Sequence, residues 1–173
     1  MSQNPVKSNP PDLSFESFGG LLTQEELDDY IATIPPLPKS LQATLEALRQ
    51  QELPQAAKAA KTDPALCFYL KNQANKSYIL RHHIEDIGQI FATLGYVRAE
   101  QLISSYMITL LCDKEWSFFD FDNDKFQALQ LEFLELWNRL LESRHEEEDR
   151  EIALAGILIP ACLVVCDRIF GAR

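Results

Sequence analysis

Apolar residues recur at intervals of three and four along most of this chain, and no stretch alternates apolar and polar positions strictly enough to compete. That period belongs to amphipathic helices, not strands. Thr23 followed by Glu26 forms a capping box that opens a short helix over 24–32. Ile34-Pro35-Pro36-Leu37-Pro38 stops it, because proline removes backbone donors and holds the chain extended. Leu41, Leu45 and Leu48 share one face of a helix over 40–51, and Pro54 suits the first turn of another over 54–61. Asp63-Pro64 is a further start signal, with Asp as cap and Pro at the first helical position of a helix that reaches about Asn75. A loop over 75–83 follows. The helix over 86–94 ends at Gly95 as a left-handed cap. The next, over 98–111, has Ile103, Tyr106, Met107 and Leu110 as its expected buried stripe. Asp124 is expected to cap a long helix over 125–145 whose buried stripe is Phe126, Leu129, Phe133, Trp137 and Leu140. The acidic run 146–149 leads into a last helix over 149–170, bent at Pro160. The fold class that follows is all-α: a bundle of short helices followed by two longer ones.

A chain of 173 residues, 46% of them hydrophobic, is long enough for one domain with its own core. Residues 1–20, with three prolines, several Ser and Asn, and Gly19-Gly20, read as a flexible tail, 21–33 as an accessory helix, and 34–173 as the domain. The formal net charge of −10 is unevenly spread, with thirteen acids against five bases over 112–151. An acidic chain repels phosphate backbones, which argues against nucleic acid as a partner. The longest apolar run, Ile152 to Cys166, contains Pro160 and falls short of the roughly 20 residues a membrane span needs. No apolar leader marks the N-terminus, so a cytoplasmic location is expected. Cys67, Cys112, Cys162 and Cys166 include no CxxC pair and read as free, buried thiols.

Few residues suggest chemistry. Asp120-Phe121-Asp122-Asn123-Asp124 resembles the start of a calcium loop, but the sixth and twelfth positions, where that loop needs Gly and Glu, are Lys125 and Leu131. His82 and His83 read as a solvated loop pair, or as weak polar contacts. Trp116, Phe118, Phe119 and Phe121 fall within six residues, and large aromatics seldom stay fully solvated. They either pack against their own domain or form a patch for a protein partner.

Several segments, taken in order, resemble the HDOD domain, a regulatory relative of the HD phosphohydrolases. The entry Ile34-Pro35-Pro36-Leu37-Pro38 is similar to the family's L-P-x-L-P. Thr62-Asp63-Pro64-Ala65-Leu66 matches its D-P-A-L helix start, and the stretch from Leu70 to Ser77 its L-x-x-A-N-S. Ile84-Glu85-Asp86-Ile87 to Leu94-Gly95 looks like I-x-S-I…L-G, and Trp137 with Ala155-Gly156 is similar to the second half. The stretch from Leu154 to Cys162 looks like the helix that reads L-A-G-L-L-H-D-I-G in the family. Here Ile159 stands in place of the His and Pro160 in place of the Asp, and Arg139 falls where the family often has His. The loop 75–83 is one residue short, and His83 stands where the family often has Pro. The family usually continues with further helices, which leaves open whether this is a whole domain or a piece of a longer protein.

The resemblance implies a degenerate HD-like scaffold in a bacterial signalling protein. Metal-dependent hydrolysis needs imidazoles and carboxylates converging on a metal, and Ile159 offers no donor atom. We therefore expect no enzyme activity, no catalytic residue, no metal site and no cofactor. The expected function is a regulatory module working through protein contacts, with an unidentified protein or a second copy as partner. The alternative is a pocket retained for a small ligand such as a nucleotide. Because Ile152 to Cys166 is apolar nearly all round, burial on more than one side is expected, either under a folded-back segment 15–33 or in a homodimer.

Overall fold

The computed structural model describes residues 23–34, 36–76, 83–112, 116, 119, 122–144 and 149–171. Among them are eight α-helices and no strand. None of the helices is long and apolar enough to cross a membrane. The chain divides into two units, 1–35 and 36–173. The first contains α1 (Gln24–Thr33), which exposes Ile31. The second contains α2 (Lys39–Arg49), α3 (Leu53–Ala60), α4 (Pro64–Lys76), α5 (Ile87–Leu111), α6 (Asn123–Arg144), α7 (Arg150–Ala155) and α8 (Leu158–Gly171). The fold is all-α, as the periodicity requires.

α5 is the centre of the second unit and packs against every other helix in it. Its first half joins α2, α3 and α4 around Leu41, Leu48, Leu66, Leu70, Ile90 and Phe91. Its last turns close a smaller cluster of Ile108 with Phe126 and Leu134 of α6, and Ile157 and Val164. Gly95 is the hinge between these halves. Its φ of 73° and ψ of 177° lie where only glycine is at ease, so the helix kinks there and resumes at once. The sequence reading ended one helix at Gly95 and began another at 98; the two instead form one kinked element.

Local starts and stops follow side-chain capping. Asp63 accepts from the backbone N–H of Ala65 (3.0 Å) and Leu66 (3.1 Å), and its other oxygen accepts from Ser40 Oγ (3.0 Å), tying α2 to the head of α4. α6 begins earlier than expected, and its cap is Asp122, not Asp124: Asp122 Oδ1 accepts from Lys125 N–H at 2.7 Å. α2 ends two residues early, at Arg49, because Gln51 takes a φ of 61° and Glu52 N–H reaches back to Ala47 O at 2.8 Å. Asn75 bonds both the N–H of Ile84 (2.8 Å) and its carbonyl (2.9 Å), so one amide joins the two ends of the 77–82 segment.

The last helix differs most from expectation. Pro160 has no N–H for the Gly156 carbonyl, and its ring would strike that carbonyl in a continuous helix. The chain therefore breaks over Gly156-Ile157, a turn before the proline, into α7 and α8. Pro160 then falls in the first turn of α8, where no donor is needed. Only one side of this segment is buried, through Ala153, Ile157, Pro160, Val164 and Asp167, while Leu158, Ile159 and Cys162 are exposed. The expectation of four buried thiols fails, since Cys162 is exposed and the other three are half-buried.

The stripes assigned to α5 and α6 were rotated from the true ones. In α5, Leu110 is exposed, Tyr106 and Met107 are half-buried, and the inner face is Ala99, Leu102, Ile103, Ser105 and Ile108. In α6 the buried positions are Phe126, Gln130, Leu134 and Leu141, while Leu129 and Leu140 face outward. Gln130 is 1% exposed, and neither of its amide atoms has a hydrogen-bonding partner among the described residues. An unsatisfied buried amide destabilises the fold. Gln130→Met, close in volume and without polar amide atoms, is therefore expected to raise stability by about 1–2 kcal/mol in urea unfolding. A decrease would mean that the amide has a partner in the folded protein.

Candidate interaction face

Beneath the α6–α7 surface lies a chain of polar side chains that satisfy one another. Glu100 on α5 is 3% exposed, in the turn that also buries Ala99 and Ile103. Its carboxylate accepts two bonds from Arg150 at the head of α7, from Nε at 2.6 Å and Nη2 at 2.5 Å, and a longer one from Arg49 Nε on α2 at 3.4 Å. The carboxylate raises the pKa of Arg150 further, so that guanidinium stays charged. Next to it, Gln101 donates from Nε2 to Asn138 Oδ1 of α6 (3.0 Å) and to Ala153 O of α7 (2.8 Å). Asn138 returns a bond from Nδ2 to Gln101 Oε1 at 3.1 Å. These contacts set the position of α7 on α5 and α6 despite its short length.

Above the polar layer sits Trp137. Its indole N–H donates to Ile152 O at 3.1 Å, and its ring lies stacked with Phe133, centroids 6.5 Å apart and planes 14° off parallel. Gly156 passes so close that a Cβ there would stand 2.5 to 2.9 Å from three atoms of the indole. The expected core anchor is thus half-buried: one face on glycine backbone, the rest near the surface. Gly156→Ala must displace the ring and strain the bond to Ile152, at an expected cost of about 1–3 kcal/mol. Tryptophan fluorescence should shift with it; an unchanged stability and spectrum would show that the indole has room.

Large apolar side chains also lie in solvent nearby in the chain. On α6 these are Leu129, Leu136 (63% exposed) and Leu140, on α7 Ile152, and at the start of α8 Leu158 and Ile159 (53% exposed). Scattered exposed apolar residues are ordinary, whereas several on one helix beside an aromatic pair form a larger apolar surface. Arg139 is exposed on the outer side of α6. Of the positions matched to the family's His-Asp pair, Ile159 is on the surface and Pro160 is buried.

The other residues singled out in the sequence lie elsewhere. Trp116 packs on its own domain, its ring 4.7 Å from that of Phe126 and its indole N–H bonded to Asn123 Oδ1 at 3.0 Å. Phe119 donates its backbone N–H to buried Asp167 at 2.9 Å. Phe118, Phe121 and His82 fall outside the described residues. His83 bonds Glu85, which Lys71 Nζ also meets at 3.0 Å, and the Lys71 ammonium and then His83 hold the Glu85 carboxyl below its ordinary range. This cluster is exposed and separate from the α6–α7 face. Among the described residues no three His, Cys, Asp or Glu side chains converge in a way that holds a metal ion.

A cleft between α5 and α6, lined by Leu94, Arg98, Leu131, Leu134 and Glu135, has a volume of about 30 Å³. That is room for about one water molecule. The polar groups at its edge are engaged, Arg98 with Glu142 and Gln101 with Asn138.

The residues of the face that sequence reasoning missed were Glu100, Gln101, Leu136, Asn138 and Arg150, while Gly156 was singled out only together with Trp137 as part of the resemblance. A signal existed for one of them: Glu100 is a lone acid within an apolar stretch. Comparison of the chain with protein-family models, with curated proteins and with solved structures gives no match.

Proposed function

We propose that this protein is a non-catalytic signalling or regulatory module, built on a degenerate HDOD-like scaffold of the bacterial cytoplasm, that acts through protein contacts. The observation carrying this reading is the exposed apolar set of Leu136 and Leu140 on α6 and Ile152 on α7 beside the Trp137–Phe133 pair, followed along the chain by exposed Ile159. A half-buried tryptophan fixed by one hydrogen bond, framed by exposed leucine and isoleucine, is the composition that concentrates binding energy at protein interfaces. The polar layer beneath it holds the two elements in register, so the face is formed before any partner arrives. The reading of a module without hydrolytic chemistry is supported by Ile159 and Pro160, neither of which supplies a metal-binding side chain at the positions that align with the family's pair.

Placing a photo-crosslinking amino acid at Leu136 in living cells tests this. A discrete adduct lost on Ile159→Asp is the expected result. Absence of any protein adduct, with the protein folded and expressed, would defeat the proposal.

A further inference from the structure

On the strength of that reading we infer that the partner at the α6 face is a second copy of the same chain, docked with its α6 antiparallel. Leu129, Phe133, Leu136 and Leu140 are spaced four, three and four apart, the spacing of a coiled-coil seam. The three leucines are exposed and Phe133 is half-buried, so the seam is open along about 16 Å of helix. It is a second stripe, distinct from the inner one that holds α6 to its own domain.

The charges beside the seam select the occupant. Glu132 and Arg139 are both exposed and seven residues apart, so they lie on the same side of the seam, two turns from one another. In an antiparallel pair, residues on the same side of the two seams face each other. The two-fold axis that stacks Phe133 on Leu136 of the second copy, and Leu140 on its Leu129, also brings Glu132 opposite Arg139 of the second copy. Symmetry makes that pair twice. A parallel arrangement would instead set Glu132 and Arg139 against the Gln130–Trp137 side of the other helix, where no charge answers them. Two chains of net charge −10 repel at long range, yet beyond about 8 Å that repulsion is screened at physiological ionic strength. Lys125, Glu132 and Arg139 along the seam sum to +1 on each helix, so these three residues add nothing to the chain's negative charge there.

Sedimentation equilibrium of the full chain over a micromolar concentration series tests the pairing. Wild type should approach twice the chain mass of 19.8 kDa. Leu136→Glu should give a monomer. Glu132→Arg and Arg139→Glu should each weaken self-association about tenfold or more, because each sets like charges together twice. The equimolar mixture of these two variants should associate as wild type does, since every pair across its seam is opposite in sign. Both sites are exposed, so circular dichroism of each variant should match wild type and exclude misfolding. A monomeric wild type, or a dimer indifferent to both reversals and their mixture, overturns the inference. A monomer whose Leu136 crosslinks to a different protein in cells overturns the second copy while leaving the interaction reading in place; a monomer that crosslinks to nothing overturns both.

Discussion

Replacing Phe126 by Ala is expected to lower stability by about 4 kcal/mol, the usual cost of emptying a phenylalanine site in a core. Phe126 is fully buried and is the largest member of the small cluster that holds α6 to the end of α5 and to Ile157 and Val164. Among the described residues that cluster has four other buried members, Ile108, Leu134, Ile157 and Val164, all smaller than the ring that would be lost. The Trp116 ring rests on Phe126, and its indole N–H is bonded to Asn123. Urea unfolding measures the loss, and tryptophan emission should move to the red as Trp116 gains water. A loss below about 1 kcal/mol would be smaller than any ordinary large-to-small core change and would place Phe126 outside the core.

Arg150→Met should cost about 3 kcal/mol, the low end for breaking a buried ion pair. The direction follows from the asymmetry of exposure. Glu100 is 4% exposed at its side chain, whereas Arg150 is 45% and Arg49 56% exposed. Removing Arg150 strands a buried carboxylate with one distant guanidinium. Removing the carboxylate strands two arginines that water already reaches, so Glu100→Gln should cost less than Arg150→Met. Combining the two changes should cost less than the sum of the singles, since the double variant buries no uncompensated charge. Strict additivity would show that Glu100 and Arg150 do not stabilise the fold through each other. Because Arg150 heads α7, the single variant should also increase hydrogen exchange across α7 before it affects α2 or α3.

Helix starts and stops were legible in the sequence because they depend on neighbours within a few residues. Asp63 before Pro64 caps the helix it was expected to cap, accepting from Ala65 N–H at 3.0 Å, and the acidic run does lead into a helix start, where Asp149, its last member, accepts from Ile152 N–H at 3.1 Å. Gly95 was recognisable as a backbone exception because glycine alone takes its φ without strain. Even the break near Pro160 was foreseeable, though its position belongs to the carbonyl four residues earlier and not to the ring itself.

The faces were not legible, and α6 shows why. It carries two apolar stripes, one through Phe126, Leu134 and Leu141, the other through Leu129, Leu136 and Leu140. Periodicity alone scores both alike, and the polar Gln130 in the buried stripe makes the exposed one look the better candidate. Only the neighbours that α5, α7 and α8 bring to α6 decide between them. The same holds for Glu100 with Arg49 and Arg150, fifty residues away on either side, and for Gln101 with Asn138. The sequence by itself determined an all-α chain and most of its helix boundaries, because capping and backbone preference act over a single turn. Which stripe is core, which is surface, and which buried charges meet was decided by tertiary packing, because burial is a property of what lies across the gap and not of the helix that carries the side chain.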